Sequence, residues 1–328
     1  MRRTRSFGLF VVLLAVLGLL CGCASTQTQT SGKVINFNAG CIPGPYAQLA
    51  VGIERIVTSN LPGVEVNVIP NISSFVNARA IGRGDAGFGI VLGDIAYYAF
   101  KGVNPYFDKP VANIRGVATL YPETMHIVAR KDANIRSVPD LKGKRVAVVA
   151  VGERKSGPEQ NAVQILEAYG MRLEDLGKVE WLTITESINF LKGNKVDALF
   201  LLTITGSPDP AGAVSVPGTV VIPIDGAPAD ALMKKYSHYA KAKIPAGLYK
   251  SVTADVPTVS VWNLFVANAD LDADIVYRTT KAFFENTAVM SAAHGLGKAV
   301  KLDTALMGMA IPLHPGAEKY YKEKGLIK

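Results

Sequence analysis

The stretch that decides the fold is Leu120–Gly170, LYPETMHIVARKDANIRSVPDLKGKRVAVVAVGERKSGPEQNAVQILEAYG. Met125–Ala129 is apolar with β-branched residues and predicts a strand, and Lys144–Val151 is typical of a strand buried on both faces of a parallel sheet. A polar loop with Gly152 and Gly157 follows, and a helix begins at once. A strand, a glycine loop and a helix N-terminus in this order direct unpaired backbone N–H groups at one point. We therefore predict half of a site for an anion or carboxylate here.

Strand and helix patterns alternate on both sides of this stretch. Before it, the predicted strands are Val34–Asn38, Val64–Ile69 and Ala86–Val91, and the helices are Tyr46–Leu61, one capped by Ser73 or Ser74, and Asp94–Phe100. After it, the predicted strands are Lys178–Ile184, Val196–Thr203, Thr219–Ile224 and Val256–Asn268, and the helices are Glu186–Leu191, Ala229–Tyr236, Ala273–Ala293 and Glu318–Lys324. This alternation predicts an α/β fold with parallel strands and right-handed crossovers.

Two lobes, joined by chain crossings near Leu120–Arg130 and Val256–Asn268, accommodate this pattern most simply. We expect one lobe to contain residues 33–125 and 264–328, and the other to contain residues 126–263. Ligands in such folds lie beyond the carboxyl ends of strands, so we predict a ligand cleft between the lobes.

The first 22 residues are typical of a leader segment and not of the folded body. Three arginines precede the apolar segment Phe7–Leu20, which is short for a membrane span. Leu20-Cys21-Gly22-Cys23 resembles a bacterial lipobox, which would make Cys23 the acylated first residue of a membrane-anchored mature protein. The alternative is an ordinary signal peptide with an incidental cysteine. Residues 23–32 are predicted to form a flexible tether, because they are polar and low in complexity.

Composition and charge exclude several classes of protein. The net charge is +8, and it becomes +5 for a chain that begins at Cys23, because three arginines and no acidic residue are then removed. No segment interleaves Lys or Arg with aromatic residues, so nucleic acid is not an indicated partner. A lipid-modified Cys23 would leave Cys41 without an intramolecular disulfide partner. After the leader, no stretch approaches the roughly 18 apolar residues of a membrane span.

Short motifs follow one another in a characteristic order from Val34 to Lys328. They are Gly44-Pro45-Tyr46, Ser74–Asn77, Gly93–Ala99 with Gly102, Asp140–Val146, Ser156-Gly157 with Asn161, Val196–Ala198, Ile244–Gly247 with Tyr249, Val256–Thr258, and Ile311–Ala317 with Tyr320, Tyr321, Glu323 and Gly325-Leu326. This ordered set resembles the TAXI solute receptors of TRAP transporters. The resemblance implies a two-lobe periplasmic-binding-protein fold, type II-like, that closes on a small solute, in many cases an amino acid or organic acid. It also implies delivery of the solute to a sodium-coupled membrane permease.

Together with the lipobox, the resemblance predicts a protein of the periplasm or extracytoplasmic face that is lipid-anchored through Cys23. No cofactor is expected. A sensing lipoprotein that presents its solute to a signalling receptor is the alternative. A TRAP permease gene beside this one would favour transport, and a histidine-kinase gene would favour sensing.

Candidate ligand-binding residues of the second lobe lie around the glycine loop. Ser156, the Gly157 backbone and Asn161 are the leading candidates, because Asn161 lies one turn into the helix and can point back over the loop. Lys155 would supply positive charge in the same loop. Gly206 closes the loop after the strand that contains Phe200 and is a candidate on geometry alone.

Candidates in the first lobe each have a structural alternative. Tyr46 either contacts the solute or is a core aromatic residue beside a helix cap. Asn77 and Asp94 either contact the solute or cap helices. Cys41 either faces the cleft or is a small apolar loop residue.

Two positions depart from the usual pattern of the resembled family. Ala47 stands where a second Tyr is usual, and Pro158 stands where a Thr usually follows Ser-Gly. Because an aromatic wall and a hydroxyl donor are lost, we transfer no relative's solute to this chain. Pro158 fits the first turn of a helix, where its missing N–H costs nothing.

No enzyme or metal motif is complete. Gly152–Gly157 has P-loop spacing, but Pro158-Glu159 replaces the required Lys-Ser or Lys-Thr. Asp270–Asp274 begins like a calcium loop, but Ile275 replaces the turn glycine and Lys281 the bidentate Glu. The four histidines show no ligand spacing, and Cys41 has no base partner in the sequence pattern.

The lipobox interpretation predicts that Cys23→Ala shifts the protein from the membrane fraction to the soluble extracytoplasmic fraction. Acyl chains contribute about 0.8 kcal/mol per buried methylene, so losing them should release the protein. Cell fractionation with immunoblotting measures this, and an unchanged membrane fraction would exclude the lipid anchor.

Overall fold

The computed structural model describes residues 33–40, 42, 44–70, 73–103, 106–149 and 157–328. The predicted leader, the tether with Cys23, and the site candidates Cys41, Lys155 and Ser156 lie outside the described residues. Residues 32–328 form one compact unit, so the lobe boundaries given above stay a prediction. Of the helices in the described ranges, none has both the length and the apolar character needed to cross a bilayer.

Strands and helices alternate along the described chain. The strands are β1 (Lys33–Asn38), β2 (Val64–Ile69), β3 (Phe88–Leu92), β4 (Ile114–Arg130), β5 (Arg145–Val149), β6 (Lys178–Leu182), β7 (Ala198–Thr203), β8 (Thr219–Ile222), β9 (Tyr239–Ile244) and β10 (Val256–Asn268). The helices are α1 (Pro45–Asn60), α2 (Ser74–Arg83), α3 (Gly93–Lys101), α4 (Gly157–Ala168), α5 (Ile184–Lys192), α6 (Pro208–Val214), α7 (Gly226–Lys235), α8 (Ala273–Glu285), α9 (Thr287–Ala293) and α10 (Pro315–Glu323).

The strands form one sheet with two parallel groups. Its order is β2-β1-β3-β10-β4-β7-β5-β6, with β8 paired to β4 and β9 paired to β10. In the first group β1 runs parallel to β2 and β3, and in the second group β5 runs parallel to β6 and β7. The antiparallel pair β4 and β10 lies between the two groups.

These two long strands link the groups, β10 to the first and β4 to the second. β4 pairs with β10 from Ile114 to Thr124 and with β7 from Thr124 to Ala129. β10 pairs with β9 over its first half and with β3 from Asn263 to Ala267. The predicted crossings near Leu120–Arg130 and Val256–Asn268 are therefore confirmed as these two strands.

An aromatic cluster fills the core beside the first group. Phe265 of β10 is fully buried and stacks on Phe37 of β1, with 5.5 Å between ring centroids. Phe88 of β3 and Phe283 of α8 lie 5.2 and 5.9 Å from the same ring. Because these rings come from four separate elements, their packing joins the sheet to helix α8.

The predicted single helix Ala273–Ala293 is wrong, since the structure has two helices here. α8 ends at Glu285 and α9 begins at Thr287, with Asn286 at φ −124° between them. The Asn286 side chain donates a 2.8 Å hydrogen bond to the carbonyl of Ala282. An amide side chain that binds a backbone group in this way competes with the helical hydrogen bonds.

The central position of Phe265 predicts that Phe265→Ala lowers the free energy of unfolding by about 3–5 kcal/mol, because the cavity cannot refill. Val34→Ala is the control, since Val34 is 59% exposed on β1 and should change stability by less than about 0.5 kcal/mol. Urea denaturation measures both variants. A Phe265→Ala loss as small as that of Val34→Ala would show that the cluster is not a central packing element.

Candidate functional site

A pocket of about 400 Å³ lies where strands of both parallel groups end. The first group and its helices contribute Gly44, Tyr46, Ser73, Ser74, Phe75 and Leu92. The second group contributes Pro158, Ile184, Leu202, Thr203 and Ile204. Tyr121 and Glu123 come from the crossing strand β4. The pocket thus occupies the place where open α/β sheets bind ligands, at the carboxyl ends of their strands.

Helix N-termini from both groups surround this pocket. Its lining includes residues at the starts of five helices: Tyr46 of α1, Ser74 of α2, Ile95 of α3, Pro158 of α4 and Ile184 of α5. Helix α1 follows Gly44, which has no side chain to cap the amides of the first turn. Side chains already accept from first-turn N–H groups in three of these helices: Ser73 in α2, Asp94 in α3 and Thr183 in α5. The partial positive charge of the helix N-termini and the uncapped first turn of α1 favour an anionic group in the pocket.

Tyr46 lines the pocket. Contact with a solute, one of the two roles predicted for Tyr46, would require this position. The Tyr46 hydroxyl donates a hydrogen bond to Asn263 Oδ1 and lies 3.3 Å from Ser74 Oγ. A Cβ atom on Gly40 would lie 2.6 Å from Tyr46 Cβ, so the glycine permits the close approach of the tyrosine. Burial raises the pKa of the Tyr46 hydroxyl well above its usual value, so the group is a protonated donor.

Glu123 is a pocket residue that the sequence analysis did not identify. It lies deep in the protein on β4, and part of its surface is accessible from the pocket. Asn263 Nδ2 lies 3.3 Å from Glu123 Oε1 and also 3.3 Å from the carbonyl of Tyr121. Burial raises the pKa of Glu123 to about 7, the hydrogen bond from Asn263 opposes that shift, and the charge of Asp94 adds to it. The sequence did contain a signal for Glu123, namely an acidic residue within an apolar segment that crosses between the groups. It was missed because the predicted strand began only at Met125.

Two predicted site residues, Asp94 and Asn161, contact each other. Asn161 Nδ2 of α4 donates to Asp94 Oδ2 of α3 at 2.7 Å, and both residues are fully buried. Tyr239 of β9 donates to Asn161 Oδ1 and lies 2.8 Å from Gln164 Oε1. Neither Asp94 nor Asn161 is among the residues that line the 400 Å³ pocket. These hydrogen bonds instead join α3, which follows β3 of the first group, to α4, which follows β5 of the second group.

The environment of Asp94 opposes its ionisation. Burial raises its pKa to about 6, although the hydrogen bonds from Asn161 and from the N–H of Ile95 favour the charged form. Asp94 lies in the first turn of α3, where the helix dipole also favours a carboxylate.

Asn77 is fully buried beneath the pocket wall. Its Nδ2 atom donates to the carbonyls of Ala39 and Ile90, each at 2.6 Å. These carbonyls follow β1 and belong to β3, so Asn77 joins the ends of two neighbouring parallel strands. It is not among the residues that line the pocket.

Gly206 lies in the loop after β7, close in the chain to the lining residue Ile204. Its φ of +82° is a left-handed conformation that favours glycine. Its N–H donates to the Tyr249 hydroxyl at 2.9 Å, and that hydroxyl lies 3.1 Å from His126 Nε2. Burial lowers the pKa of His126 to about 4, so a neutral imidazole holds the tyrosine that anchors this loop.

The glycine loop itself is described only from Gly157, the first residue of α4. Of the two departures from the resembled family, Pro158 lines the pocket. Ala47 is buried and is not among the residues that line it. Within the described residues, no group of three or more His, Cys, Asp or Glu side chains could hold a metal ion.

Glu123 makes protein stability depend on pH in a defined direction. Its folded-state pKa of about 7 exceeds the ordinary 4.5, so the folded protein retains a proton that the unfolded chain has released between these values. The resulting stabilisation is complete below about pH 4.5 and is lost as the pH rises through about 7. Between pH 5 and pH 8, we expect the wild type to lose about 2 kcal/mol more unfolding free energy than Glu123→Gln.

Urea denaturation of both proteins at the two pH values measures this difference. Asp94 also titrates in this range and is present in both proteins, so its own titration is largely common to them, apart from its charge interaction with Glu123. Glu65→Gln on β2 is the matched control, because Glu65 is exposed and should leave the pH dependence unchanged. Equal pH dependence in the wild type and Glu123→Gln would contradict the raised pKa.

Comparison with known proteins gives one family and several structural neighbours. Residues 37–325 match the model of the NMT1-like family. The structure resembles PhnD1 from Prochlorococcus marinus in complex with methylphosphonate, with 12% identity, 90% of this chain and 99% of that chain covered, and a TM-score of 0.52. It also resembles a TctC solute-binding protein from Polaromonas, with 13% identity, coverages of 90% and 99%, and a TM-score of 0.52.

A third neighbour is the periplasmic sulfonate-binding protein SsuA from Methylobacillus flagellatus KT, with 14% identity, coverages of 90% and 88%, and a TM-score of 0.52. At these identities the likeness concerns the fold alone. The predicted two-lobe periplasmic-binding-protein fold, with two crossing strands and a cleft, is thereby confirmed.

Proposed function

The chain belongs to the NMT1-like family, and from that premise we propose that it is an extracytoplasmic solute receptor of a TAXI-type TRAP transporter. It binds a small anionic or zwitterionic solute, an amino acid or organic acid, and delivers it to a sodium-coupled permease. Acylated Cys23 holds the receptor at the membrane. The ordered TAXI-like motifs and the two-lobe fold support this proposal.

One observation about the pocket supports the proposed function most strongly. The pocket is lined from both parallel groups, and α1, α2, α4 and α5 all begin at its wall. A solute carboxylate there receives backbone N–H donors and faces partial positive charge without needing a metal ion. Its volume of about 400 Å³ lies within the range of small-molecule sites.

The residues predicted from sequence divide between two roles in this proposal. Tyr46, Cys41, Lys155, Ser156 and the Gly157 backbone contact the solute. Asp94 and Asn161 act through lobe closure, because their hydrogen bond joins α3 to α4.

Asn77 and Gly206 position the loops that follow β1 and β7. A solute that is bound between the lobes stabilises the closed state, which is the state that the permease recognises.

We expect a thermal-shift screen of amino acids and organic acids to find a stabilising solute. At 100 times its Kd, the solute adds about 2.7 kcal/mol of stability. Tyr46→Ala and Ser156→Ala should each abolish or strongly reduce the shift. Tyr277→Ala is the control, because Tyr277 is also half-buried but lies on α8 and donates to Glu323, far along the chain from the pocket.

An undiminished shift in both pocket variants would place the solute elsewhere. Turnover of the solute by the purified protein, measured by mass spectrometry, would contradict a receptor that leaves its ligand unchanged.

A further inference from the structure

We infer that the solute is an α-amino acid with an apolar side chain, whose ammonium group faces Glu123 and whose carboxylate faces the helix N-termini. This inference rests on the proposed function, and it narrows the solute from any small anion or zwitterion to one class.

The hydrogen-bonding groups around Glu123 favour a donor-rich partner. Asn263 Nδ2 is the described donor to this carboxylate, and it is shared with the Tyr121 carbonyl. The proton of the Tyr46 hydroxyl is directed at Asn263 Oδ1. Acceptors therefore outnumber free donors at this wall of the pocket, and an ammonium group brings three donors and no acceptor.

The charges lead to the same conclusion. Among the described residues that line the pocket, Glu123 is the one carboxyl group, and no Lys, Arg or His accompanies it. The other titratable groups that act on it are Asp94 of α3 and the hydroxyls of Tyr46 and Tyr121, none of which supplies positive charge. A cationic group on the solute would therefore neutralise a buried carboxylate that no described side chain neutralises.

Opposite charges on the pocket wall match the two ends of an amino acid backbone. The uncapped first turn of α1 and the start of α4 face the pocket and favour a carboxylate. Tyr46 connects the two regions, since it lies in the first turn of α1 and its hydroxyl binds Asn263, the partner of Glu123. A dicarboxylate would place a second negative charge against Glu123.

The remaining wall is mostly apolar, with the hydroxyl groups of Ser73, Ser74 and Thr203 as its other polar side chains. Phe75, Leu92, Ile95, Ile184, Leu202 and Ile204 form the apolar part. A charged side chain on the solute would lose its hydration there without meeting an opposite charge from a described residue, whereas an aliphatic or aromatic side chain would not. This wall therefore selects the apolar members of the class.

Matched pairs of compounds test the inference directly. L-Leucine is compared with 4-methylpentanoate and L-phenylalanine with 3-phenylpropanoate, because each pair differs only by the ammonium group. Isothermal titration calorimetry should give at least about 100-fold tighter binding of one amino acid than of its deaminated partner, since a lost charged contact leaves a buried carboxylate unpaired. In Glu123→Gln this ratio should fall to about tenfold or less, and in Glu65→Gln it should remain as in the wild type.

The pH dependence of binding gives a second readout with opposite signs for the two compounds. From pH 6 to pH 8 the affinity of the wild type for the amino acid should rise about tenfold, because the amino acid requires the ionised form of Glu123. The affinity for the deaminated acid should fall over the same range. In Glu123→Gln the opposite trends should disappear, and the pH dependence that remains should be that of Asp94, whose pKa is about 6.

Tighter binding of a deaminated acid, or an unchanged ratio in Glu123→Gln, would overturn the inference. So would the absence of binding by every compound in these pairs at millimolar concentration. The broader screen could instead yield a different organic acid whose stabilising effect is lost in Tyr46→Ala. In that case the receptor function would stand, and only the assignment of the solute class would fail.

Discussion

The antiparallel pairing of β4 with β10 is the constraint on which the rest of the structure depends. Because β10 hydrogen-bonds to β3 of the first group, β4 hydrogen-bonds to β7 of the second, and the two strands pair with each other, the groups are held with their carboxyl ends around one pocket. The same two strands carry Glu123 and Asn263, so the pocket carboxylate and its amide partner lie at the junction itself. A shift in register between these strands would therefore disturb the sheet and the site together, since a displacement of one residue turns every side chain to the opposite face.

This arrangement produces a pocket with two electrostatic regions, the partially positive helix N-termini and the carboxyl group of Glu123. Helix starts are a necessary consequence of parallel strands, because each strand runs into a helix that begins at the same edge of the sheet. Positive potential at the pocket is thus a property of the architecture, and Glu123 is a local addition to it on a crossing strand. In the proposed receptor, selectivity among solutes depends on Glu123 and on the apolar wall, whereas the capacity to hold a carboxylate comes from the helix N-termini of the fold.

A second polar contact, between Asp94 and Asn161, lies away from the pocket but joins the same two groups. Burying a carboxylate is unfavourable unless hydrogen bonds compensate, and here the raised pKa of about 6 shows that the compensation is partial. Under the proposed lobe closure, this contact would break and re-form, because water can replace the lost hydrogen bonds when the groups move apart. In that proposal the pocket serves recognition and this contact serves closure.

The sequence by itself determined the alternation of strands and helices and the two crossing segments, because periodic burial and glycine loops are local properties. It missed β9, although Tyr239–Ile244 alternates apolar and polar residues, and it extended one helix through Asn286. Only the tertiary structure decided that Asp94 and Asn161 bind each other, 67 residues apart, and that Glu123 faces the pocket. The physical reason is that side-chain partners and burial depend on which elements meet in space, and local sequence patterns carry little of that information.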